Sequence, residues 1–220
     1  MTRRLRLLTT LTAGTATALL LAGCGGGGDN SKSNDKIAGA DTDTSSSASP
    51  SASASTADAA GRPKITFPSD AKNVFEDAKT GDATKDAVLA DSALGVNAVD
   101  EAIFKGSTGT KALGFYNTGK ALETSITYVN GFIDDSDTWI GEIRFFDRKV
   151  TLSGAKQAYV TYCSDESKAF VKNKKTKKVD RNAATSRSYV LYHTTLTKNA
   201  DGVWQTTDIV SNRGDKACQP

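Results

Sequence analysis

The chain has 220 residues, with 28 Lys and Arg against 25 Asp and Glu, for a formal net charge of +3. Arg3, Arg4 and Arg6 carry that excess, because no acid lies in residues 1–23; the remainder holds 25 basic and 25 acidic side chains. Nucleic-acid-binding domains show a basic surplus over their folded part, so no nucleic-acid partner is expected.

Behind the three arginines runs an apolar stretch from Leu7 to Leu21, interrupted only by Thr and Gly, which closes with Leu21-Ala22-Gly23-Cys24. A basic start, an apolar middle and small residues at the end define a secretory signal peptide, and the run is short for a membrane span. The closing tetrad resembles the lipobox of bacterial lipoproteins. That resemblance implies that residues 1–23 are removed, that Cys24 is diacylated, and that the protein is lipid-anchored in the cell membrane on its extracytoplasmic face. Thr2-Arg3-Arg4-Leu5-Arg6-Leu7 also partly resembles a twin-arginine signal. Export by the general route and export by the twin-arginine route both fit.

Residues 24–63 read as the lipidated Cys followed by a tether. From Gly25 to Arg62 the composition turns to Gly, Ser, Thr, Ala and Asp, with almost no large apolar side chain to bury, which predicts disorder. Its r.m.s. reach is ~35 Å as a flexible coil.

Three cysteines look odd for an exported chain. Lipidation would use Cys24, leaving Cys163 and Cys218 as the one pair that could form a disulfide, which an oxidising compartment preserves. The alternative is two buried free thiols. Two sulfurs and one His fall short of four zinc ligands, so no metal or other cofactor is expected.

Residues 64–220 suffice for one domain. Asp70–Lys79 is expected to be a helix capped by Ser69, with Val74, Phe75 and Ala78 on one side. Asp82 is placed to cap a second helix, in which Leu89, Ala93, Val96, Val99 and Ile103 recur at helical spacing before Gly106. A short helix is expected over Lys111 to Tyr116. Ser125–Ile133, Trp139–Leu152, Ala155–Cys163, Ser186–Leu196 and Val203–Val210 read as strands, with turns at Ser153-Gly154 and Asn199-Ala-Asp-Gly202. Helices followed by strands predict an α+β fold, with the N-terminal helices packed on one face of a curved antiparallel sheet.

The tetrad ending at Cys24, the tether, the helices, then Tyr159-Val160-Thr161-Tyr162-Cys163, Asp201-Gly202-Val203-Trp204 and Cys218 together resemble actinobacterial lipoproteins with a SnoaL-like, nuclear-transport-factor-like domain. The resemblance implies a cone-shaped α+β domain that can hold a pocket. Another cystatin-like or lipocalin-like surface lipoprotein is the competing resemblance. Members range from isomerases and dehydratases to noncatalytic adaptors, so the fold does not choose among them.

Gly114-Phe-Tyr-Asn-Thr-Gly119-Lys120-Ala121 approaches the phosphate-binding G-x-x-x-x-G-K-[ST] pattern, but Ala121 replaces the magnesium-binding hydroxyl and no apolar strand precedes it. The glycines are expected to end a helix and turn the chain. Asp134-Asp135-Ser136-Asp137 clusters carboxylates but lacks the Gly and distal Glu of a calcium loop, and is read as a solvated hairpin loop. His193, the one histidine, could serve as a general base only with an orienting carboxylate inside the cone, and no sequence-near acid supplies one. Catalytic residues are therefore expected to be none. Lys168, Lys172, Lys174, Lys175, Lys177, Lys178 and Arg181 form a basic hairpin between strands. Lys172 to Arg181 is the stretch that would contact cell-wall polymer, anionic lipid or an envelope protein.

These readings lead to a noncatalytic binding or interaction module of the cell envelope. The alternatives are an isomerase- or hydrolase-type enzyme acting in the cone, and a structural envelope protein.

Overall fold

The computed structural model describes residues 61–76 and 79–220. The expected signal peptide, Cys24 and the expected tether up to residue 60 lie outside them.

Asp82 opens the longest helix, α1 (Ala83–Lys105), by accepting the amides of Thr84 at 2.8 Å and Lys85 at 3.2 Å. A carboxylate in this position satisfies helix donors that have no intrahelical partner. Gly106 closes it at φ 63, donating to Ala102 and Ile103. This helix follows the expected limits, as does α2 (Lys111–Tyr116).

Two elements differ from expectation. The segment read as a helix over Asp70–Lys79 contains β1 (Ala71–Phe75), paired parallel with β2 (Asp137–Ser153). Ten residues make a marginal helix by themselves, whereas as a strand Phe75 stacks on its register partner Phe145 at 4.7 Å. The segment read as a strand over Ser125–Ile133 lies within α3 (Gly119–Asp134). Its Thr, Ile, Tyr and Val favour strand as single residues, but Leu122, Ile126, Val129 and Ile133 recur at helical spacing and pack together beneath α1.

The remaining strands are antiparallel: β3 (Gln157–Asn173), the two-residue β4 (Val179–Asp180), β5 (Tyr189–Lys198) and β6 (Trp204–Arg213). The sheet runs β1-β2-β3-β5-β6, with β4 attached to β3. It is therefore mixed rather than purely antiparallel, because β1 runs alongside β2. β3 continues ten residues past the expected end at Cys163, forming a long arm with β2.

Register shifts at Glu142/Arg144 and Phe146/Lys149 in β2, and at Thr195/Leu196 in β5, bend the open sheet. Gly141 makes the β1–β2–β3 junction feasible: at φ 99, a Cβ there would overlap the carbonyl oxygen of Lys168. α1 and α3 cover the concave face. Val88, Leu89, Phe145, Val160, Leu196 and Trp204 fill one part of the core, and Ile103, Leu113, Val129 and Trp139 another.

Candidate functional site

Alternation along β3 and β5 sends Tyr162, Ser164 and Glu166 to the concave side together with Tyr192, and α3 brings Tyr128 over them. One aromatic side chain per strand builds a ladder. Phe75 stacks on Phe145, Phe145 meets Tyr162 edge-on at 6.0 Å, and Tyr162 stacks on its register partner Tyr192 at 4.8 Å with ring planes 14° apart.

Tyr128 on α3 is 52% exposed, and its hydroxyl is raised above the ordinary tyrosine range, by burial first and then by the charges of Tyr192, Glu166 and Asp100. Burial raises the Tyr162 and Tyr192 hydroxyls as well, so they stay protonated and able to donate.

Two carboxylates and one guanidinium complete this group. Asp100, buried on α1, accepts from Trp139 Nε1 at 3.1 Å and from Asn73 Nδ2 at 2.6 Å. Burial pushes its pKa up to about 7 despite these two donors, with a smaller contribution from the charge of Glu166. Glu166 accepts from Arg213 at 2.6 and 3.1 Å and from Ser164 Oγ at 3.4 Å. The Glu166 hydrogen bond is the main reason the Arg213 pKa is raised. The charge of Asp100 reaches all three tyrosines.

This cluster was not legible in the sequence. Its members are spread from Asp100 to Arg213 and meet only through strand register. The one available signal was the acidic pair Asp100-Glu101 inside the apolar repeat from Leu89 to Ile103.

The residues singled out from sequence fall elsewhere. Cys163 and Cys218 are joined in a disulfide with Cα atoms 5.5 Å apart, both buried, tying the C-terminus to the convex face. His193 also lies on the convex side, in a shallow depression of about 340 Å³ beside Tyr159, Thr195, Asp208 and Val210. Asp134 to Asp137 form the turn from α3 into β2, not a hairpin loop, and Asn173 Nδ2 binds Asp135 O at 3.0 Å and Asp137 Oδ1 at 2.8 Å. Among the described residues, no group of three or more His, Cys, Asp or Glu is arranged to hold a metal ion. Gly119 begins α3 rather than ending a helix.

The basic stretch is largely engaged within the domain. Lys172 pairs with Asp70 at 3.0 Å and Lys178 with Asp180 at 3.1 Å. Lys174 Nζ binds the carbonyls closing α1, Lys177 Nζ donates to Lys174 O at 2.7 Å, and Arg181 lies 4.8 Å above the Phe170 ring. Lys175 extends from the turn exposed.

No protein-family model and no curated protein matches the chain. Among solved structures it is similar to a ketosteroid isomerase-like protein from Erwinia carotovora atroseptica, at 14% identity and a TM-score of 0.40, covering 60% of this chain and 97% of that one. It is similar also to the intermembrane space region of the chloroplast protein ARC6, at 13% identity and a TM-score of 0.33, covering 62% and 97% respectively. Likeness at these scores carries no argument about activity. The α+β class rests on the topology: an open, curved sheet with helices on its concave face.

Proposed function

We propose that this protein is a lipid-anchored module on the extracytoplasmic face of the cell membrane, and that it binds a small, partly aromatic or alicyclic molecule against the Tyr162–Tyr192 stack without transforming it. The observation that carries the binding reading is the Tyr162–Tyr192 stack, 4.8 Å between ring centroids, with the Ser164–Glu166–Arg213 hydrogen bonds on the same face. Aromatic faces supply apolar contact, and protonated tyrosine hydroxyls orient a polar substituent.

What supports the noncatalytic reading is where the reactive groups are engaged. Both oxygens of Asp100 accept hydrogen bonds, Glu166 is chelated by Arg213, and the one histidine is on the opposite side of the sheet. The raised pKa of Asp100 favours a second reading, an isomerase-type enzyme using Asp100 as acid and base. The anionic contact expected of the basic hairpin rests on Lys175 and the outer charges of Lys177 and Arg181.

Anchoring is tested by labelling cells with a palmitate analogue. The parent chain takes up label and stays with membranes, whereas Cys24→Ala takes up none and is released or left unprocessed. Full membrane retention of Cys24→Ala, with no label in the parent, contradicts the anchor.

A further inference from the structure

A recess lies against α1 and α2, where the chain enters the folded domain. Residues 61–64 run along α1 and α2 and enclose a cleft of about 510 Å³, lined by Arg62, Lys64, Glu101, Lys105, Lys111 and Phe115. Its charges can be followed one by one.

Arg62 forms an ion pair with Asp91, which is itself buried and also accepts the amide of Trp204 at 2.8 Å. The Arg62 Nε is buried and has no partner among the described residues. Glu101 accepts from Lys105 Nζ at 2.8 Å, from Thr66 N at 2.9 Å and from Thr66 Oγ1 at 3.1 Å. Burial alone would raise its pKa; these donors hold it below the usual carboxylate range, so it neutralises Lys105 and nothing more. Lys64 and Lys111 have no ion-pair or hydrogen-bond partner among the described residues, and both are exposed at the cleft. Two ammonium groups and the half-buried Phe115 ring therefore face a space far larger than a simple ion.

We propose that this cleft binds a phosphate monoester, with Lys64 and Lys111 as its charge partners and Phe115 as the apolar wall for the esterified group. The residual charge of two lysines matches a phosphate monoester, which carries about −1.5 to −2 near neutral pH, and lysine binds phosphate as a point charge. The ester comes either from a soluble metabolite or from a phosphorylated lipid headgroup. The site shares no residue with the Tyr162–Tyr192 stack and does not depend on it.

The test uses the full chain carrying Cys24→Ser, so that acyl insertion does not mask weaker contacts. Glycerol 3-phosphate is titrated while backbone amide shifts are followed. The expected result is a saturable response at Lys64, Lys111 and Phe115 that Lys64→Ser with Lys111→Ser weakens at least tenfold, with an unchanged melting temperature. Lys175→Ser, on the basic hairpin, leaves the response unchanged. Sedimentation with vesicles containing phosphatidic acid distinguishes the sources. Loss of vesicle binding in the double variant assigns a lipid headgroup, whereas vesicle binding absent in the parent assigns a soluble ester. No saturable response to glycerol 3-phosphate, a double variant that binds like the parent, or an equal loss in Lys175→Ser overturns the proposal.

Discussion

Lys174 Nζ donates to the carbonyl oxygen of Ile103 at 2.7 Å and to that of Phe104 at 3.3 Å. A cation thus satisfies carbonyls at the C-terminal end of α1, where the helix leaves acceptors unpaired and its dipole is negative. Burial lowers the Lys174 pKa, in keeping with an ammonium drawn in against the domain. Lys174→Ala is expected to lower unfolding free energy by ~1 kcal/mol. Lys175→Ala, one residue on and exposed, is expected to change it by less than ~0.5 kcal/mol. Urea denaturation of both variants separates a structural lysine from a surface one.

The Cys163–Cys218 bridge spans 55 residues. In the loop-entropy model that corresponds to ~4 kcal/mol, and both sulfurs are buried, so the bridge also holds the C-terminal turn against β3 and β5. Cys218→Ser is expected to cost ~2–5 kcal/mol in thermal or chemical unfolding. Intact mass before and after reduction, with alkylation, verifies the bridge; two alkylatable thiols in the native chain contradict it.

Asp100 gives the stability a pH dependence of known sign. Its carboxyl holds its proton up to about pH 7 in the folded state, against 3.8 as the ordinary value. Between those values the folded state carries the extra proton, so this group's contribution is complete below pH 3.8 and is lost as pH rises through 7. The full effect is of the order of 4 kcal/mol. Glu101, Glu142 and Asp165, held below their usual range, act in the opposite direction in more acid solution. Asp100→Asn is expected to flatten the fall in melting temperature between pH 5 and pH 8, measured calorimetrically.

Where one residue type and one period agreed, the sequence was readable. Asp82, the repeat from Leu89 to Ile103 and Gly106 marked both ends of α1, because a cap, an apolar stripe and a left-handed glycine are local signals. In α3 the two signals disagreed: β-branched composition suggested a strand, and the spacing of Leu122, Ile126, Val129 and Ile133 determined the helix. β1 depends on an edge of β2 more than sixty residues away, as the pairing of Phe75 with Phe145 shows, and no local pattern reports that. The tyrosine cluster was invisible for the same reason. Tyr162 and Tyr192 become neighbours only once β3 and β5 are in register.

Binding at the Tyr162–Tyr192 stack is tested by amide chemical-shift mapping of the full chain against small aromatic and alicyclic alcohols and acids. Saturable shifts are expected, grouped at Tyr128, Tyr162, Ser164, Tyr192 and Arg213 and lost on Tyr128→Ala, with every compound recovered unchanged. Shifts confined to other surfaces, or conversion of a compound that stops in Asp100→Asn, would contradict it.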